Sequence, residues 1–136
     1  RQVPTLRKGR PEPECELNPQ TAASLGISEG DWVSIETKRG RCRQKAKIFD
    51  GIDARVVHVQ HGWWFPEEED SPDHGNWRSN ANALTSMEPP YCSAMGTYQL
   101  RALLCRVIKV KDSDEPWRPP LPEKYKSNVA EVQSWD

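Results

Sequence analysis

The chain has 136 residues, a length that suits one domain around a single hydrophobic core. Charged residues make up 29% and hydrophobic residues 35%, so the core is modest and much of the chain is surface or extended. A formal net charge of -1 argues against nucleic acid as a partner, since nonspecific binding takes a strongly basic domain. There is no apolar run long enough to span a bilayer, and no basic start leading into a hydrophobic signal core, so direct membrane insertion is not expected.

Arg1, Arg7, Lys8 and Arg10 make residues 1–11 a basic lead-in, and Glu67, Glu68, Glu69, Asp70 and Asp73 make an acidic loop further on. Both read as solvated segments that meet other domains. Between them, Asn18 to Gly40 is the most patterned stretch. Asn18 is a good N-cap, Pro19 suits the first helical position, and Ala22, Ala23 and Leu25 carry about two turns to Gly26, which supplies a left-handed residue at the C-terminal end. From Trp32 to Lys38 the period changes to two, with Val33, Ile35 and Thr37 on one face and Trp32, Ser34, Glu36 and Lys38 on the other. A two-residue turn at Arg39-Gly40 would pair Lys38 with Arg41, Glu36 with Arg43 and Val33 with Ala46.

Ala54 to His61 has the β-branched content of a strand and suits a central position in a barrel. It runs into Gly62, Trp63, Trp64 and Phe65, where a glycine at a strand end allows close approach of backbone to a ligand. The adjacent tryptophans fit either of two uses, capping the barrel and a domain interface or stacking on a flat ring. His61 has two readings as well, a donor to a phosphate or ring oxygen and a satisfied edge histidine.

After the acidic loop, residues 79–85 read Ser, Asn, Ala, Asn, Ala, Leu, Thr. Short polar groups with small spacers suit ligand contact, and equally an Asx-turn network that holds an irregular connection together. Met87 to Tyr98 is broken by Pro89, Pro90 and Gly96, and Leu103 to Val110 is an apolar run expected as a strand covered on both faces. Residues 111–136 carry Pro116, Pro119, Pro120 and Pro122 with isolated aromatics, the composition of an extended or disordered tail.

Cys15, Cys42, Cys92 and Cys105 are scattered without a C-x-x-C pair, which disfavours a zinc or iron-sulfur site. Cys42 and Cys105 are expected to be buried thiols. His58 and His61 are three apart and point to opposite faces of a strand, a poor spacing for shared ligation with His74 or Cys92. No nucleophile elbow is present, which speaks against a catalytic triad.

The residues Asn18, Pro19, Ala22, Leu25, Gly26, Ile27, Gly30, Asp31 and Val33 spell N-P-x-x-A-x-x-L-G-I-x-x-G-D-x-V, followed in order by HGWW at 61–64 and NANALT at 80–85. This resembles the C-terminal dinucleotide-binding domain of molybdopterin oxidoreductases, the group that includes dimethyl sulfoxide reductase and formate dehydrogenase. The resemblance covers residues 12–110. It implies an all-β fold with short helices, a double-psi β-barrel, and an excised piece of a larger subunit that lacks its first strand. It implies a domain covering one side of a bis-(molybdopterin guanine dinucleotide) cofactor of molybdenum or tungsten, with the metal ligands and any catalytic residue in other domains. On that assignment His61, Gly62, Trp63, Trp64, Asn80, Asn82, Thr85, Tyr98, Gln99 and Arg101 contact or support the cofactor. The partners would be the other domains of the same subunit and an iron-sulfur electron-transfer subunit. A different class remains open, a noncatalytic double-psi barrel adaptor, against which the polar segments at two strand ends speak. A pyruvoyl-type decarboxylase fails for want of a Gly-Ser cleavage site.

Overall fold

The computed structural model describes residues 3–68, 73–89 and 91–111. A short helix, α1 (Pro4–Gly9), leads into β1 (Glu14–Leu17), α2 (Pro19–Ser24), β2 (Trp32–Glu36), β3 (Arg41–Ile48) and β4 (Val57–Val59). Then come α3 (Asn76–Ser79), a 3₁₀ turn over Ala81–Leu84 and β5 (Arg106–Lys109). The strands form one five-stranded mixed sheet in the order β4-β1-β3-β2-β5. β3 lies at its centre, parallel to β1 and antiparallel to β2. The chain is thus mostly sheet with a few short helices, as expected from its sequence. The basic lead-in is helical in part, and of the tail only Lys111 lies among the described residues.

The local signals around α2 act as their chemistry dictates. The Asn18 side chain accepts a hydrogen bond from the Gln20 amide and donates through Nδ2 to the Ile52 carbonyl at 2.7 Å. At the other end, Gly26 takes φ +64°, its amide bonds Ala23 O, and the Ile27 amide reaches back to Ala22 O at 2.9 Å. This is a Schellman ending, with the usual apolar contact supplied by buried Ile27 and Ala22.

The hairpin between β2 and β3 exists, but its register differs from the expected one. Glu36 lies opposite Arg41, Ser34 opposite Arg43 and Val33 opposite Gln44. The reason is Thr37. Its amide bonds Gly40 O at 2.9 Å and its hydroxyl accepts from the Arg39 amide at 3.1 Å, so the turn centres on Lys38-Arg39 instead of Arg39-Gly40. Each partner moves by two positions, and an even shift leaves every side chain on its expected face.

Two further strand expectations are corrected. β4 is three residues long and lies at an edge of the sheet, paired only with β1 among the described strands. β5 lies at the opposite edge, with Val107 buried and its other residues exposed, and Leu104 before it is 94% exposed. Cys105, expected inside, is also exposed, while Cys42 is buried as its strand face requires.

The core is built on one face of the sheet from Cys15, Leu17, Val33, Ile35, Cys42, Ala46 and Val107, covered by Ala22, Ile27, Ala83 and Leu84. Each fully buried aliphatic side chain contributes roughly 1.5–3 kcal/mol. Thr37 Oγ1 donates to Leu84 O at 2.9 Å and so ties the hairpin loop to the 3₁₀ turn. The opposite face is charged. Lys47 sits 3.7 Å from Glu16, whose carboxylate lies 2.9 Å from His58 Nδ1.

The basic lead-in and the acidic loop meet each other, in addition to any contact with other domains. Arg7 is ion-paired with Glu67 and lies over the Trp63 ring at 5.2 Å. Arg78 is ion-paired with Glu68 and lies over Phe65 at 4.0 Å.

Candidate functional site

The two polar segments flagged by the sequence, 61–64 and 80–85, begin side by side because of Gln44. This residue occupies the central inward position of β3, between Cys42 and Ala46, and it is fully buried. A buried primary amide must find partners, and this one does. Its Nε2 donates to the Gln60 carbonyl at 2.6 Å and to the Ser79 carbonyl at 3.0 Å, while its Oε1 accepts from the Gln60 amide at 3.0 Å. The side chain thus pairs with Gln60 as a neighbouring strand would, and holds the last residue of α3 with its remaining N–H. The next residues along the chain are His61 and Asn80.

The first segment departs from the end of β4. His61 and Gly62 are exposed, and Gly62 takes φ +66° with open space where a Cβ would stand. The tryptophans then part company. Trp63 is fully buried, edge-on to Phe65 at 6.3 Å with Arg7 above it, so it serves packing. Trp64 is only half-buried.

In the second segment the asparagines divide in the same way. Asn80 Oδ1 accepts from the Asn82 amide at 2.9 Å and caps the 3₁₀ turn, while Nδ2 donates to Asn76 Oδ1 of α3 at 2.6 Å, so both ends of the Asn80 amide are engaged. Thr85 donates from Oγ1 to the Asn82 carbonyl at 3.1 Å and closes the turn. The exposed Asn82 side chain, by contrast, makes no hydrogen bond among the described residues and points a whole amide outward. The Asx network and a free ligand-facing group are therefore both present, on different residues.

Tyr98, Gln99 and Arg101 lie elsewhere along the chain, in an exposed stretch. Tyr98 bridges to Tyr91, and Gln99 Nε2 donates to Ala102 O at 3.4 Å. Among the described residues, no hydrogen bond joins 91–104 to either of the other two segments.

Residues 60–65 and 79–85 contain no acidic side chain, so nothing within them repels an anion. The imidazole of His61, the left-handed Gly62, the ring of Trp64 and the amide of Asn82 make a set of donors, acceptors and a flat surface. That set fits the polar edges of a pterin or purine. Among the described residues there is no cluster of three or more His, Cys, Asp or Glu that could hold a metal ion. Sequence reasoning missed Gln44. The signal was available, because a Gln between Cys42 and Ala46 on an apolar strand face demands buried partners.

Residues 1–102 match the family described as "Molydopterin dinucleotide binding domain". The chain is 38% identical over 124 residues to a dopamine dehydroxylase of Eggerthella lenta, covering 90% of this chain and 12% of that protein. It is 37% identical over 70 residues to an acetylene hydratase of Syntrophotalea acetylenica, covering 52% of this chain and 10% of that protein. Among solved structures, acetylene hydratase from Pelobacter acetylenicus superposes with a TM-score of 0.74 at 29% identity, covering 80% of this chain and 16% of that one. The chain thus spans about an eighth of the length of the dehydroxylase. A putative dimethyl sulfoxide reductase catalytic subunit of Halobacterium salinarum is a further relative, 37% identical over 62 residues and covering 46% of this chain and 7% of that protein. The N-P-x-x-A pattern, the order of HGWW and NANALT and these matches agree: the chain belongs to the molybdopterin dinucleotide-binding domain family of the molybdopterin oxidoreductases.

Proposed function

We propose that this chain covers one side of a bis-(molybdopterin guanine dinucleotide) cofactor of molybdenum or tungsten within a larger oxidoreductase subunit. Its sheet would form part of a double-psi β-barrel over residues 12–110. The observation that carries the proposal is the meeting of Gln60 and Ser79 on the Gln44 amide, so that the segments 61–64 and 80–85, with exposed His61, Gly62 and Asn82, start from neighbouring points.

On this reading Asn82 and His61 hydrogen-bond the polar edges or phosphates of the cofactor, and the Gly62 backbone permits close approach. Trp64 offers a stacking surface, while Asn80 and Thr85 hold the turn that presents Asn82. Tyr98, Gln99 and Arg101 would reach the cofactor from the separate stretch before β5. The cofactor supplies redox chemistry at its metal through pterin dithiolenes, and this chain supplies binding, orientation and exclusion of water. Other domains of the same subunit and an iron-sulfur electron-transfer subunit would be the partners.

The test is Asn82→Ala in the polypeptide that carries this domain, with bound pterin measured by fluorescence after release and oxidation. Loss of a ligand-facing amide in a buried contact should weaken retention roughly tenfold on dilution, with thermal stability little changed. Full pterin content in the variant would overturn the assignment and bring the adaptor reading forward.

A further inference from the structure

The geometry points to Gln44 as a positioning residue that sets the spacing of the two cofactor-facing segments, and through it the affinity for the cofactor. This rests on the cofactor reading above. Gln44 touches no ligand itself. It stands at a core position where an apolar side chain would fill the space without the cost of burying an amide. Apolar packing fixes volume, whereas hydrogen bonds fix distances and directions. Here the amide fixes the Gln60 carbonyl at 2.6 Å and the Ser79 carbonyl at 3.0 Å from one nitrogen. Each of those carbonyls is the last backbone group before the segment that would meet the ligand.

Two details make the dependence on Gln44 strong. Ser79 is fully buried, yet its own hydroxyl has no partner among the described residues, so its side chain does nothing to anchor this end of α3. β4 is only three residues long, and beyond Val59 its ties to β1 are two long bonds, Gln60 N to Glu14 O at 3.3 Å and Glu14 N to Gln60 Oε1 at 3.2 Å, whereas the bidentate contact with Gln44 holds Gln60 at 2.6 and 3.0 Å. The orientation of the amide is fixed by its surroundings as well, since turning it over would set its oxygen against two carbonyl oxygens. One side chain thus couples segments whose attachment points lie 16 and 35 positions away along the chain.

The test uses the cofactor-loaded polypeptide that carries this domain, with Gln44→Leu, Asn82→Ala and the double variant. Three quantities are read: pterin retained on dilution, hydrogen exchange of 60–65 and 79–85, and hydrogen exchange of the β2–β3 hairpin. Gln44→Leu should lower retention roughly tenfold and raise exchange in both segments together, with the hairpin still protected. In the Gln44→Leu background, Asn82→Ala should cost at least about fivefold less retention than it costs in the wild type, because Asn82 is already misplaced. A residue that merely stabilised the fold would give additive losses.

Additive losses, or exchange raised in one segment alone, would overturn the proposal. Indifference of retention to Gln44→Leu while Asn82→Ala lowers it would overturn the proposal and leave the cofactor reading standing. Indifference to both would overturn both. The wild-type protein supplies an arm that needs no variant to fold. Amides of 60–65 and 79–85 should open with one common rate, and separate rates would overturn the coupling.

Discussion

Glu36 and Arg106 face each other across the β2–β5 ladder and are joined by a 2.7 Å ion pair between Oε2 and a guanidinium nitrogen. Arg41, opposite Glu36 on the other side, adds a second guanidinium at 3.8 Å. The Arg106 hydrogen bond is the main cause that holds the Glu36 carboxyl below its usual range, with the charge of Arg106, the Ser34 hydroxyl and the charge of Arg41 contributing less. A carboxyl depressed in the folded state contributes stability above its unfolded pKa and loses it as pH falls through its folded value. Glu36→Gln should therefore destabilise the chain by about 0.5–1 kcal/mol at neutral pH, the modest range of a partly exposed pair. The difference from wild type should be smaller at about pH 3 than at pH 7, because protonation of the carboxyl in the folded chain removes the pair. Denaturant midpoints measured at the two pH values check this, and equal differences at both would refute it.

Gly26 has φ +64° with nothing near the position of an added Cβ, so any cost of Gly26→Ala is backbone strain alone. The expected loss is about 1–2 kcal/mol, the cost of a left-handed residue with a side chain. At the N-terminus of the same helix, Asn18→Ala removes both the cap to Gln20 and the bond to Ile52 in the loop after β3, and should cost about 1–2 kcal/mol. Urea unfolding of the two variants, with unchanged m-values, is the measurement.

Burial pushes the thiols of Cys15 and Cys42 up to about 12, while Cys92 is exposed. Since the thiolate is the reactive form, a thiol reagent at pH 8 should modify Cys92 of the native chain first. Cys105, also exposed, should follow more slowly, because partial desolvation raises its pKa. Cys15 and Cys42 should react only after unfolding. Peptide mapping after timed alkylation gives the order, and early modification of Cys42 would contradict the packing of β3.

Arg7 is paired with Glu67 and stacked over buried Trp63, which pins α1 to the segment after β4. Arg7→Ala should destabilise by about 1 kcal/mol through loss of the cation–π contact and the pair together. Arg7→Lys should recover only part of this, because an ammonium lacks the planar fork that stacks and pairs at once. Thermal unfolding followed by tryptophan fluorescence would register both, and full recovery with lysine would show that charge alone matters.

Features that depend on neighbouring residues were legible in the sequence. The cap at Asn18, the left-handed stop at Gly26 and the face assignment of β2 and β3 all follow from interactions within a few positions, where propensity and periodicity act directly. Family membership was legible too, since it rests on ordered short motifs. Register was not, because the Thr37 hydroxyl moved the turn by one residue, and an even shift in pairing leaves the hydrophobic pattern unchanged. The division of labour between Trp63 and Trp64, and between Asn80 and Asn82, could not be read from identical residue types side by side. Only the tertiary structure decided it, through Phe65 and Arg7 around one ring and Asn76 beside one amide. The sequence also placed Gln44 on the apolar face of β3 while leaving its partners unnamed. Gln60 and Ser79 come to it from long distances along the chain, and which remote carbonyls a buried amide meets depends on how the intervening loops close.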